Sequence, residues 1–361
     1  MGMLVPGLAL LFFQDRQIDE AIVKGVALLI ECQEGDPRAE WPYEGVYRVS
    51  GKIPVGYRIG GTSICATALL RAPGDDKARR EAIDRAAAFV IETLKDPLMG
   101  ADFAPAYDVR GWGHASALSF LLALDKLDRA PKGSKAAIDF CVSAIEKLEM
   151  PENGGWSYAS AGSRKPAPPS TFMTAVTLQA LWQAKAQGYK VDAEVLSRAV
   201  AALERARLES GAFQYSGTGR KTGKGFEAVE GSIARSPLCE TTLLLAGKSD
   251  AERVRKAVDA FFEHWEWLEK RRRQNGTHMG PYAIAPYYFY FGHMYAGQAI
   301  EFLPEAGRPE YRKKLAETLF KTRDVDGSWN DRVFSRSKNY GTACALLALL
   351  APKTPLPAAG R

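Results

Sequence analysis

Apolar residues recur at three- and four-residue spacing, with charges between them, in six segments: IDEAIVKGVALLIECQ (18–33), ARREAIDRAAAFVIETL (78–94), AAIDFCVSAIEKL (136–148), DAEVLSRAVAALERARL (192–208), ERVRKAVDAFFEHWEWL (252–268) and YRKKLAETLF (311–320). This is the period of a helix wet on one side. Each is followed, after a turn-rich loop usually carrying an aromatic residue, by a segment that is small or apolar nearly all round, such as GWGHASALSFLLAL (111–124) or YGTACALLALL (340–350). A helix without a polar face must be buried. The pattern therefore predicts six hairpins, each a wet outer helix and a dry inner one, with inner helices near 61–71, 113–126, 171–186, 236–246, 290–303 and 340–350. Six dry helices can all be hidden by closing into a ring or by stacking as a solenoid. The last inner helix is followed only by the Pro-rich PKTPLPAAG (352–360), too little to cap a solenoid. The expected architecture is a closed, all-α ring of twelve main helices, an (α/α)6 toroid.

The loops carry a repeated device. Trp329 follows a glycine turn in DGSWND, and Trp156 and Phe213 take comparable places; Trp41 is the aromatic of the first loop. Such an aromatic is expected to cover the helix ends beside it as a structural staple.

Composition narrows the class. The chain has 361 residues, 46% hydrophobic and 25% charged, enough apolar content for a sizeable core and too much for disorder. A formal charge of +6 is mild, and the run Lys270 to Arg273 is read as a solvated helix face, so no nucleic-acid partner is expected. Five cysteines stand singly, with no CxxC pair, so neither a zinc ribbon nor a disulfide framework is written here. MLVPGLALLFF (3–13) is too short to span a bilayer and has the length of a signal-peptide core, without a preceding basic residue or a clear cleavage site. Residues 1–15 are set apart as a candidate leader and 16–361 as one domain; export and retention in the cytoplasm both remain open. GTGRKTGKG (217–225) has the composition of a phosphate loop but not its spacing.

The strings GGWSYAS…STFMTAVTLQALWQAKAQG, SGAFQYSG and DGSWND…YGTACALLALLAP resemble the repeats of the prenyltransferase and squalene-cyclase superfamily, over residues 16 to 361. The resemblance implies an α/α toroid. Class II cyclases of that superfamily carry an Asp-x-Asp-Asp acid motif, which this chain lacks; GDD at 74–76 and DVD at 324–326 are the nearest strings. Prenyltransferases hold zinc with an Asp-x-Cys pair and a later His. Cys239 in SPLCETT and His293 in YFGHMYAG match two of those positions, but Pro237 stands where the Asp belongs. No cofactor is therefore predicted; zinc remains a secondary possibility through Cys239 and His293.

Aligned by their small-apolar runs, the inner helices place Thr62, His114, Thr174, Cys239, His293 and Thr342 in one layer where the loops enter the ring. This layer is read either as helix caps and core or as a ligand site at the mouth of the ring. On the second reading the ligand-binding residues are His114, Trp112, Cys239, Tyr288, Tyr290, His293, Tyr295 and Arg235, fed by the aromatic run Tyr287 to Phe291. His264 is read as a surface or interface residue. Three functions are compatible with these residues. The first is a cavity protein binding a small apolar or amphiphilic molecule. The second is a carbohydrate-active lyase or hydrolase in which Arg58, Arg110 or Arg235 neutralises a uronate. The third is a non-catalytic scaffold. The sequence does not fix the oligomeric state.

Overall fold

Asp76, Asp192 and Asp250 each accept a hydrogen bond from a backbone N–H in the first turn of an outer helix, at 2.9, 2.8 and 2.9 Å. These side-chain caps satisfy donors that a wet helix would otherwise leave to water. The inner helices start without any side-chain cap bond. The computed structural model describes residues 6–100, 109–157, 168–217 and 222–360, with side chains from residue 15 onward. In chain order the hairpins pair α1 (Pro6–Glu31) with α2 (Val55–Arg71), α3 (Lys77–Thr93) with α4 (Arg110–Asp125), and α5 (Ser134–Leu148) with α6 (Thr171–Ala186). Next, α7 (Ala193–Arg205) leads through the short α8 (Val229–Ser232) to α9 (Ser236–Leu245), and α10 (Ala251–Glu263) through α11 (Trp265–Arg271) to α12 (Tyr288–Ile300). The last pair is α13 (Arg308–Lys321) with α14 (Lys338–Leu349). Among the described residues there is no sheet, only isolated bridges in loops.

The inner helices touch in the order α2, α4, α6, α9, α12, α14, and α14 returns to α2. The ring is closed. Outer helix α1 packs on both α14 and α2 across the seam, where Arg336 pairs with Glu34 at 2.9 Å and Ser337 donates to the Glu44 carbonyl at 2.7 Å.

Three tryptophans fasten their hairpins in the same way. The indole N–H of Trp41, Trp156 and Trp329 donates to Leu29, Ile145 and Leu319 carbonyls near the end of the preceding outer helix, at 2.7, 2.8 and 2.8 Å. Their backbone N–H groups donate to the hydroxyls of Thr62, Thr174 and Thr342 on the following inner helix, at 2.9, 3.1 and 3.1 Å. Phe213 repeats the backbone half of the device with Ser232, at 2.8 Å. Gly327, at φ +89°, makes the reversal before Trp329 possible.

The inner helices begin within three residues of the expected positions except α2. Helix α2 begins at Val55 rather than 61, because Pro54 ends the loop and Gly60 lies inside the helix where a Cβ would meet the Trp112 ring at 2.2 Å. Pro237 lies in the first turn of α9, where its missing N–H leaves no bond unmade. Residues 1–5 of the candidate leader and 218–221 of the basic loop lie outside the described residues, while residues from Pro6 onward already belong to α1.

Candidate functional site

Two residues along an α-helix turn roughly 200° about its axis. The layer holding Thr62, His114, Thr174, Cys239, His293 and Thr342 therefore faces one way, and the residues two positions earlier face the other. Those earlier residues are Gly60, Trp112, Phe172, Pro237, Phe291 and Tyr340, aromatic in four of six helices. The structure puts the aromatic set inside the ring. Trp112, Phe172, Phe291 and Tyr340 line an aromatic pocket of about 50 Å³ with Tyr43, Tyr47, Tyr57, Tyr287 and Tyr288. Tyr43 packs edge-on to Tyr57 at 5.1 Å and against Tyr340 at 4.8 Å, which holds the wall in register.

Seven residues further along, close to two full turns, the same face continues. There Thr67, Ser119, Gln179, Gln298 and Leu347 line a second pocket of about 170 Å³, bounded by five of the six inner helices and sharing Trp112, Phe291 and Tyr340 with the first. Gln179 donates to Thr242 at 2.9 Å and to Gln298 at 3.1 Å, joining α6, α9 and α12 by side chains. Beyond the glutamines the wall is made by Arg71, Gln183 and Glu301, and then by Thr354 to Pro357. This last segment crosses from α14 to the far side of the ring, where the Gly360 N–H donates to the Leu245 carbonyl at 3.0 Å and the chain lies on Trp182. The inner face thus grades from aromatic, at the helix starts, to amide and charge, at the helix ends.

The residues expected at the ring mouth divide between these surroundings. Trp112, Tyr288 and Tyr295 line the pockets. His114, Cys239, Tyr290, His293 and Arg235 are buried and are not among the residues lining either pocket. His114 bonds the Met99 carbonyl at 2.9 Å, and Tyr290 donates to the Thr322 carbonyl at 3.2 Å. Arg235 has all three guanidinium nitrogens on the carbonyls of Phe213, Gly231 and Phe226. The register of the layer was readable from the small-apolar runs; its face was not, because an all-apolar helix has no polar side to mark which way is out.

His293 accepts the Trp265 indole N–H at 2.9 Å and donates from Nδ1 to the Phe289 carbonyl at 2.7 Å, so the ring is neutral and both nitrogens are engaged. Burial lowers its pKa to about 4. Burial also pushes the Cys239 thiol well above its ordinary value, away from the thiolate that zinc needs. Among the described residues no three His, Cys, Asp or Glu side chains converge as a metal shell. The arginines proposed for a uronate are engaged as well: Arg58 makes two 2.7 Å bonds to Glu40, and Arg110 donates to the Gly100 carbonyl at 2.6 Å. His264 is half-buried at the junction of α10 and α11.

Several functional candidates escaped the sequence reading. Tyr340, Gln179, Gln298 and Arg71 are one kind; a glutamine in the middle of an otherwise dry helix was the available signal. Asp331, in the loop after Trp329, is another. It has no exposed surface, and neither carboxyl oxygen has a hydrogen-bond partner. Burial raises its pKa to about 7, against the guanidinium charges of Arg332, Arg272 and Arg273. Tyr43 and Tyr340, already held far above the ordinary phenol range by burial, are raised further by this carboxyl group. A carboxyl group in this state can hold a proton near neutral pH.

Neither a protein family model nor a curated protein sequence matches the chain. Its fold does match solved structures. A variant of the type II terpene cyclase MstE from Scytonema, in complex with geranylgeranyl dihydroxybenzoate, superposes with a TM-score of 0.59 at 13% identity, over 95% of this chain and 100% of that one. A possible member of the GH105 family from Salmonella enterica matches with a TM-score of 0.51 at 12% identity, over 94% of each chain. A sugar epimerase from a ruminal bacterium matches at 0.50 and 11%, over 94% of this chain and 100% of that one. The chain has the α/α-toroid fold of the terpene cyclase, an architecture these sugar-directed proteins resemble too.

Proposed function

We propose that this protein binds an amphiphilic molecule inside its inner ring, with the apolar part among Trp112, Phe172, Phe291 and Tyr340 and the polar part toward Gln179 and Gln298. The observation that carries the reading is the gradient along one continuous inner face. From Gly60 to Arg71 that face runs eleven residues, roughly 16 Å at the helical rise, a span suited to a chain with a head. Aromatic walls take the apolar part without loss of hydrogen bonds, while the amides offer both donors and acceptors to the head. MstE is a toroid holding a geranylgeranyl chain on a dihydroxybenzoate, which supports the same kind of occupant here. The carbohydrate reading is less well supported, since Arg58, Arg110 and Arg235 are engaged within the protein. The test is native mass spectrometry of the purified protein followed by extraction of bound molecules. An amphiphile at stoichiometric occupancy, lost in a Trp112→Ala variant that remains folded, is the expected result; a bound oligosaccharide would contradict the reading.

A second reading, in which the protein also protonates its ligand, is favoured by Asp331 alone: a buried carboxyl group whose charge acts on two tyrosines of the aromatic wall, with its pKa raised to about 7. Incubation with linear polyprenyl compounds should then give an isomerised or cyclised product with the native protein and none with Asp331→Asn. Equal product from both proteins would remove Asp331 from the chemistry.

A further inference from the structure

Arg71 closes the last turn of α2 and lines the polar end of the larger pocket. It has exposed surface and lines the pocket, and surrounding protein atoms lower its pKa by desolvation. No described carboxylate lies within ion-pair reach of it, and none of its five N–H donors has a partner among the described residues. The pocket's other charged residue behaves differently. Glu301 is held by Arg312, with Nε at 2.9 Å from Oε1, and is neutralised there. Among the described residues, the unbalanced charge facing this pocket is therefore one positive guanidinium. The carbonyls that end α2 favour a cation at this place, which keeps Arg71 charged while leaving its donors unused.

We infer that the polar end of the pocket is an anion site, in which Arg71 receives the carboxylate or phosphate head of the amphiphile. The inference rests on the amphiphile reading above and adds the sign of the head. A guanidinium offers two parallel N–H donors to either anion, and such a charge-assisted pair is stronger than a neutral hydrogen bond. Gln183, one full turn beyond Gln179, supplies an amide to the same pocket. An alcohol head would satisfy only one of these donors, and an ammonium head would meet a like charge.

The experiment titrates the full chain with octanoate, octyl phosphate, octan-1-ol and octylammonium by isothermal calorimetry, for the native protein, Arg71→Gln and Arg71→Lys. In the native protein at least one of the two anions should bind ten-fold or more tighter than octan-1-ol, and octylammonium should bind more weakly than the alcohol; the stronger anion identifies the head. Arg71→Gln should bring both anions to the level of the alcohol without changing the alcohol itself. Arg71→Lys should keep part of the preference, which also covers the case of a Gln variant that fails to fold. Equal affinity of anions and alcohol for the native protein, or an equal loss for all four probes in Arg71→Gln, overturns the anion site while leaving amphiphile binding in place. Absence of binding by all four, octan-1-ol included, overturns the amphiphile reading and the anion site with it.

Discussion

Trp156 and Trp329 each join two helices with one side chain and one backbone group, and both are fully enclosed. Truncating either to Ala removes a large buried ring and leaves a carbonyl at a helix end without its donor; thermal or urea unfolding should show a loss of about 3 to 5 kcal/mol. Unchanged stability in both variants would contradict the fastening role. A subtler effect concerns protons. His293 titrates at about 4 in the folded protein against an ordinary 6.5, so between these values the unfolded chain binds a proton that the folded one refuses, and stability falls as pH drops through that window. Asp331 titrates at about 7 against an ordinary 3.8, so the folded chain keeps a proton that the unfolded one has released, and stability falls as pH rises from about 4 to about 7. The two effects oppose each other over nearly the same range. Asp331→Asn should remove one of them: relative to the native protein it should gain stability as pH rises from 4 to 7 and then level off, by up to a few kcal/mol at about 1.4 kcal/mol per pKa unit. Urea unfolding of both proteins at pH 4.5, 6 and 8 measures this, and parallel curves would show that Asp331 is not a buried acid.

Each inner helix is a two-sided part, with one side fastened to the outer ring and the other facing the pocket. In α12 the fastened side carries Phe289, Tyr290 and His293, and the inner side carries Tyr288, Phe291, Tyr295 and Gln298. The close fit of α2 against α4 depends on Gly60, beneath the Trp112 ring. Gly60→Ala should cost about 1 to 3 kcal/mol through overpacking, and Trp112→Leu in the same chain should recover part of it, a coupling that a double-mutant cycle reads directly. Additive losses would mean that the ring and the glycine do not compete for space. The same two-sidedness explains what the sequence could and could not tell. The outer helices announce their wet face by charge, so the six hairpins and their order were legible, as were the tryptophan turns. The inner helices show no such face. His114, Cys239 and His293 looked like a mouth because they are chemically distinctive, whereas Arg71 looked like an ordinary helix end and Asp331 like an ordinary loop residue. Only packing shows that one of these groups lines a pocket and the other is buried.

The whole molecule is closed twice. One closure is the seam of α1 and α14 against α2; the other is the segment after α14, which reaches across to Leu245 and Trp182. A chain shortened after Leu350 should keep its helical circular dichroism, because the seam lies elsewhere, but should exchange an environment-sensitive apolar dye faster, since Thr354 to Pro357 no longer wall the pocket. Unaltered dye kinetics would show that this segment closes nothing. A ring held only by neighbouring contacts unrolls once any one contact fails, like a bracelet with a single clasp. The crossing segment acts as a chord, tying the sixth unit to the third and fourth and dividing the circle into two smaller loops. A break at the seam then leaves the fourth, fifth and sixth units joined end to end, with the first three still anchored to them through the touching helices α6 and α9. Weakening the seam directly, with Arg336→Ala together with Ser337→Ala, should accordingly leave the toroid assembled by circular dichroism, provided the chord is kept.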